Sequence, residues 1–451
     1  METLQPYSKW RYSILGVDAK VPLSNNTLAI SINFDNAAST PALVNVLHQI
    51  NRFAPYYSSI HRGYGYKSDL SSSLYESARK TVLDFVQGDP NHDVVIFVNN
   101  TTQAINKLAH RLLTTDRKKV VLSTQMEHHS NDLPWRNKYH VDHVKVDASG
   151  RLRLDDLESK LNKYKGSVRL VTATGASNVT GYINPIYEIA EMAHAYGAEI
   201  MVDAAQLAPH ESISMQPPDS PRHIDYLAFS GHKMYAPFGT GVLIGPKKVL
   251  QFGPPEYAGG GTVKFVTSDN IVWDDTPAKD EAGTPNVLGV VALKTAIETV
   301  NQISMPLLSQ YERRLWYYTV KKMSNLPGLK IYCDTDAVKP RIGVIPFNIE
   351  GLHHKLVGEI LSDEAGIATR TGCFCAQPYV QKLLNLTPAE IIQYQNNPSV
   401  RPGMVRVSFG LYNDYREVDV LIQTLAKIVE NKEYYQKKYQ HLLNSQVQRL
   451  P

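Results

Sequence analysis

Cysteine is scarce in this chain: Cys333, Cys373 and Cys375 are the three in 451 residues. Three thiols do not make a disulfide framework, so a reducing, intracellular compartment is expected. No apolar run reaches the length that spans a bilayer, and Met1-Glu2-Thr3-Leu4-Gln5-Pro6 lacks the pattern of a secretory signal. Both absences point to a cytoplasmic protein with no membrane role. Charge of neither sign is in excess. A net charge of +4 over this length leaves no footprint for nucleic acid. Internal repeats and long low-complexity linkers are missing too, which excludes a repeat array. What remains is an ordinary globular composition, 43% hydrophobic and 20% charged. The length suits one large and one smaller domain.

From about Ala29 to Val300, apolar runs alternate with helical patterns. The runs at 94–98, 119–122, 168–171 and 199–202 read as buried strands. Segments 73–86, 103–113, 154–164 and 186–195 have helical spacing. Such alternation predicts an α/β fold with a mostly parallel central sheet covered by helices. Candidate active-site residues follow the strands, where open α/β sheets bind ligands. A smaller α+β domain is expected beyond Asn301. It has one long helix over 297–323, strands at 329–332, 341–347 and 405–409, and helices at 353–364 and 418–432. Residues 432–450 read as an exposed terminal helix. The expected division is an N-terminal segment 1–34 packing with the small domain, a large domain 35–300 and a small domain 301–451.

The strongest chemical signal is Ser230-Gly231-His232-Lys233, preceded by a strand-like run and followed by Gly239-Thr240-Gly241. A lysine behind Ser and His beside a phosphate-sized pocket suits a Schiff-base lysine for pyridoxal phosphate (PLP). Alone, the tetrapeptide also reads as a surface lysine in a turn. Asp203 ends a strand, with Gln206 three residues on. A carboxylate there keeps a pyridine nitrogen protonated, and Gln206 suits the ring's phenolic oxygen. A plain helix-capping Asp is the alternative. Thr101 and Thr102 stand between a strand and a helix, where free N–H groups make an anion site. His128, in Glu127-His128-His129-Ser130-Asn131, suits stacking on the ring and proton exchange. Paired histidines also suggest metal, but no further ligand sits at a recognisable spacing, so no metal site is expected.

These pieces occur in a known order. The chain resembles the cysteine desulfurase and selenocysteine lyase group of class V, fold-type I PLP enzymes, over about residues 30–425. The landmarks are Phe34-Asp35-Asn36-Ala37-Ala38-Ser39-Thr40, His61-Arg62-Gly63, Thr101-Thr102, Glu127 to Asn131, Ser177-Asn178, Asp203-Ala204-Ala205-Gln206, Ser230 to Lys233, Glu281 to Asn286, and Arg370-Thr371-Gly372. The resemblance implies that Lys233 holds the cofactor aldehyde and His128 stacks on the ring. It implies that Asp203 and Gln206 contact the ring, and that Thr102, Ser230 and His232 hold the phosphate with help from the Thr101 backbone. Thr284 matches a Thr that reaches the phosphate of the other subunit, which implies a homodimer with shared active sites. Asn178, Arg370, Arg406 and His61 match positions near the substrate amino acid. Arg406 is the expected carboxylate clamp, because a planar guanidinium grips a carboxylate through two hydrogen bonds.

Cys375 falls where the desulfurases carry their nucleophile. It follows Arg370 closely, in the polar stretch 369–377, where a cation favours the reactive thiolate. A small buried core residue is the plainer alternative. The implied activity is removal of sulfur from L-cysteine, giving alanine and a persulfide on Cys375 for an unidentified acceptor. Another class V reaction (a C–S lyase, selenocysteine lyase or epimerase) would keep Lys233 and Asp203 without needing Cys375. A non-catalytic PLP-fold scaffold is the third possibility. Three departures from the common pattern stand out. Cys373-Phe374-Cys375 is similar to the desulfurase domain of molybdenum cofactor sulfurases. Residues 379–403 form a long insertion. Gly175 stands where many relatives have His. Cys373 is open between a structural role, persulfide resolution, sulfur relay and metal binding.

Overall fold

A computed structural model describes residues 8–115, 119–336, 339–397 and 401–444. Its centre is a seven-stranded sheet in the order Asp93–Val98, Gly241–Pro246, Tyr226–Ser230, Glu199–Asp203, Val168–Thr174, Val120–Thr124 and His140–Val144. Gly241–Pro246 runs antiparallel to both its neighbours; all other pairings are parallel. The expected α/β fold with a mostly parallel sheet is therefore present. Five of these strands are buried along their whole length. Helices on both faces exclude water from them, which is why they read as unbroken apolar runs. Helix Val287–Ile303 packs on Val44–Phe53 and Tyr66–Phe85 and closes one face.

A second, antiparallel sheet has the order Leu329–Ile331, Val344–Ile349, Met404–Ser408, Arg370–Gly372. Helices Met305–Met323, His354–Ala365 and Tyr415–Glu430 cover it. The N-terminal segment reaches this region. Ile32–Asn33 pairs with Ile367–Ala368, and the buried Arg11 meets Glu417 at 2.6 Å. The same segment also places Trp10, Ile14 and Val17 in the core of the central sheet.

Three local expectations change. The helix over 297–323 is two helices, broken at Ser304, whose φ is +80°. Pro306 lacks the N–H that a continuous helix would need there. The strand expected at 341–347 starts at Val344 and ends at Ile349. The terminal helix Lys432–Asn444 is not simply exposed: Tyr435 and Tyr439, spaced four apart, are buried on one face. The Tyr439 hydroxyl donates to Glu364 at 2.9 Å. The end of the stretch expected as helix lies outside the described residues. No described helix is long and apolar enough to cross a membrane.

Candidate active site

The site is built at the C-terminal ends of the parallel strands. Tyr226–Ser230 ends in a single turn, Gly231–Lys233, that turns the lysine back toward the neighbouring strand end. A Cβ on Gly231 would lie 2.9 Å from the Thr240 carbonyl, so this turn requires glycine. Lys233 is half-buried as a residue, its amine is the enclosed end, and that amine makes no hydrogen bond among the described residues. Burial pushes its pKa from 10.5 down to about 8; Asp203 and Cys375 oppose the drop, and Arg406 adds to it. Asp203, 3% exposed, ends the adjacent strand and takes one hydrogen bond, from the Ala205 N–H at 2.9 Å. Burial raises its pKa, against the pull of that amide and of Lys233. An amine that gives up its proton more readily than a free lysine thus lies near a buried carboxylate that has acceptor capacity to spare.

An anion cradle lies beside them. Helix Thr101–Thr115 points its N-terminus at the turn that carries Lys233. The Thr101 N–H donates to the Ser230 hydroxyl at 2.8 Å, and the two hydroxyls are 2.7 Å apart. With Thr101 donating both protons, the Ser230 hydroxyl hydrogen is left for a ligand. The Thr101 amide is therefore engaged, and the adjacent Thr102 backbone N–H is the donor left open among the described residues, its hydroxyl being 2.7 Å from that of Ser130. His232 is driven down to about 4 by burial and by Lys233. A buried acid, a lowered amine and clustered hydroxyl donors at a helix start fit the ring nitrogen, aldehyde and phosphate of PLP.

His128 heads a short turn after the strand Val120–Thr124. Its Nδ1 accepts the Ser130 N–H at 3.1 Å, which puts the proton of the neutral ring on Nε2. The Ser130 hydroxyl is 3.0 Å from the same Nδ1 and 2.7 Å from the Thr102 hydroxyl. Burial, then Lys233, His129 and Arg406, lower His128 to about 3, so it is neutral across the physiological range. Glu127 braces it from beneath, holding Thr124, the Thr174 N–H and Asn131. Burial raises Glu127 to about 8.

Cys375 reaches this cluster from the second sheet. The Ala376 N–H donates to the Cys373 carbonyl at 2.8 Å across a turn whose central residues, Phe374 and Cys375, have φ of +51° and +54°. Both positions normally go to Asn or Gly, and holding larger residues there costs about 1 kcal/mol or more each. Three contacts hold the turn. The His129 N–H donates to the Cys375 carbonyl at 2.6 Å. The Asn178 amide donates to the Phe374 carbonyl at 2.7 Å. The Arg406 guanidinium lies 5.0 Å over the Phe374 ring. Cys375 is exposed, so the small buried core residue considered above does not describe it. Cys373 is half-buried 3.5 Å from the Pro402 carbonyl, and burial raises its pKa.

Arg406 is 2% exposed and donates to the Asn178 carbonyl at 2.9 Å and to Asp35 at 3.0 Å; its Nε has no partner among the described residues. Burial lowers it to about 10 despite Asp35. Arg370, directly opposite Arg406 across the antiparallel pair, reaches the other Asp35 oxygen at 3.1 Å. Asp35 thus pre-aligns both guanidiniums. It sits in one of the sequence landmarks, yet nothing in the residue pattern announces this bridge. Gln206 donates to the Ala37 carbonyl at 2.6 Å and keeps a second amide hydrogen.

His61 and Thr284 are not brought to Lys233 within this chain. They line a separate cleft of about 480 Å³ with Arg62, Glu76, Arg79 and Glu281. His61 is held there by Glu76 at 2.9 Å. Gly175 is filled by Leu207, whose Cδ2 would lie 2.8 Å from any added Cβ. The 379–403 stretch contributes helix Pro388–Asn396 and most of Gln377–Leu383. Residues 398–400 lie outside the described residues.

The class-V aminotransferase family matches residues 32–421. A probable cysteine desulfurase of Halalkalibacterium halodurans is 33% identical over 413 residues, 90% of this chain and 94% of that protein. A cysteine desulfurase of Yersinia pseudotuberculosis is 34% identical over 88% of this chain and 93% of that protein. The apo structure of the Thermococcus onnurineus cysteine desulfurase superposes with a TM-score of 0.81 at 30% identity, covering 96% of this chain and all of that one.

Proposed function

The chain belongs to the class-V aminotransferase family, and from that premise we propose that it is a PLP-dependent cysteine desulfurase. The observation that carries the reading is the strained turn, which sets the exposed Cys375 close enough to Lys233 and Arg406 to act on their charges. A lyase or epimerase would need no thiol held there. When bound, PLP supplies an electron sink for negative charge at Cα of the attached amino acid.

The chain's own residues do the rest. Lys233, with its lowered pKa, takes and returns the Cα proton. Asp203 would hold the pyridine nitrogen and keep it protonated. His128, neutral with its proton on Nε2, would lie against the ring and exchange a proton with the substrate thiol. Arg406, with Arg370 and Asn178, takes the substrate carboxylate. Thr102, Ser230 and His232 would hold the phosphate. The Cys375 thiolate attacks the substrate sulfur. An S–S bond forms as the C–S bond breaks, so L-cysteine and one thiol give alanine and one persulfide. No external reductant is consumed until the sulfur leaves.

A homodimer fits the separate cleft of His61 and Thr284, which has no role in its own chain and would serve the partner's site. Residues 35–300 then carry the cofactor, while 1–34 and 301–451 present Cys375, Arg370 and Arg406. A free, exposed thiol of this kind suits a reducing compartment such as the cytoplasm. The test is a substrate panel with product analysis on wild type, Cys375→Ser and Lys233→Ala. The reading expects alanine and sulfane sulfur from L-cysteine in wild type alone. Full-rate sulfide release by Cys375→Ser would replace it with a C–S lyase.

A further inference from the structure

Two loops bring His92, Asp93 and His223 together at the sheet edge opposite Lys233. Strands Asp93–Val98 and Tyr226–Ser230 run in the same direction, since both are antiparallel to Gly241–Pro246. Thr101 and Lys233 leave their C-terminal ends, whereas these three residues stand at the N-terminal ends. At ~3.3 Å of rise per residue the two places are roughly 15 Å apart.

One ligand atom from each of the three lies within 4.8 Å of the other two. The Asp93 carboxylate is fully enclosed; it accepts the Asp89 N–H at 3.0 Å and lies 2.8 Å from His92 Nδ1. His223 is 3% exposed, and its Nδ1 is 2.9 Å from the Gln216 carbonyl. A carbonyl only accepts, so Nδ1 carries the proton and Nε2 carries the lone pair. That Nε2 is buried with no hydrogen-bond partner among the described residues. A buried acceptor without a donor needs an explanation. An imidazole fixed by Nδ1–H on a backbone carbonyl, with Nε2 free, is oriented as a metal ligand is.

We propose that His92, Asp93 and His223 bind a divalent transition metal of the Zn²⁺ class, with water completing the coordination. Two imidazoles and one carboxylate suit a borderline-soft ion better than Mg²⁺ or Ca²⁺, which take oxygen ligands. Donors on a tetrahedral zinc stand roughly 3.4 Å apart, given zinc–nitrogen bonds of about 2.0 Å. The side chain of His92, 36% exposed, supplies both the small closing movement and the route in from solvent. The ion would clip the loop before Asp93–Val98 to the loop before Tyr226–Ser230. Those loops already touch through the Met215 N–H and the Val86 carbonyl, 2.8 Å apart.

The experiment uses the full-length, PLP-loaded protein, stripped with a chelator and exchanged into chelator-free buffer. Zn²⁺ is titrated against a chromophoric competitor, and Co²⁺ is followed by visible absorbance. Wild type and Cys375→Ser should each bind one Zn²⁺ per chain. His92→Ala, a change at a part-exposed side chain, should bind at least 10-fold more weakly with unchanged circular dichroism. Bound Co²⁺ should show no sulfur-to-metal charge-transfer band. Binding that survives His92→Ala but is lost in Cys375→Ser would move the metal to the thiols and overturn the proposal. So would wild-type binding no tighter than that of His92→Ala. The readout needs no turnover of L-cysteine and stands apart from the desulfurase reading.

Discussion

Replacing Lys233 with methionine should stabilise the cofactor-free protein near neutral pH. Burial lowers the amine from 10.5 to about 8. Between those values the unfolded chain holds a proton that the folded chain has lost, so wild-type stability rises with pH through that window. Below about pH 8 both states are protonated, and the folded state carries the full cost of a buried ammonium. At 1.36 kcal/mol per pKa unit that cost is on the order of 3 kcal/mol. Methionine has similar length and no charge. The drop to about 8 already contains the opposing attraction of Asp203, and solvent screening at a half-buried residue trims the net gain at pH 7 to about 1–3 kcal/mol. The assay is urea unfolding of both cofactor-free proteins at pH 7, 8 and 9.5. The variant should show the higher midpoint at pH 7, and the gap should shrink as pH rises. A variant no more stable at pH 7, or a gap that does not change with pH, would refute the buried-amine argument.

Other perturbations test neighbouring parts of the site. Cys375→Gly should be more stable than Cys375→Ala by about 1 kcal/mol in thermal unfolding, because only glycine adopts positive φ without strain. Gly175→His should destabilise by about 1–3 kcal/mol through collision with Leu207, and Leu207→Ala in the same chain should recover part of the loss. Arg406→Lys cannot span Asn178 and Asp35 together, so KM for L-cysteine should rise at least 10-fold, with a smaller change in kcat.

The central sheet was legible because its strands are buried on both faces and appear as unbroken apolar runs. Lys233, Asp203, Thr102 and His128 were legible because each follows a strand in a recognisable order. Geometry set by contacts distant in sequence was not. The 304 break depends on one left-handed serine. The docking of Tyr435 and Tyr439 leaves only a four-residue spacing as its trace, inside a polar, Lys- and Gln-rich stretch. The Asp35 bridge joins residues more than 330 positions apart, and its ends look like unrelated charges. The turn strain at Phe374 and Cys375 runs against the residue preferences that would advertise it. His92, Asp93 and His223 meet only after folding, so ligand spacing along the chain could not reveal them.

The central claim is that Cys375 takes the sulfur that Lys233 prepares for transfer. Peptide mass spectrometry after a single turnover with L-cysteine, trapped by a thiol-alkylating reagent, tests it most directly. One extra sulfur atom is expected on the peptide carrying Cys375, in amount equal to the alanine formed, and none in Lys233→Ala. Alanine formed in full with Cys375 unmodified, or the extra sulfur found on Cys373 in a Cys375→Ser chain at the wild-type rate, would contradict it.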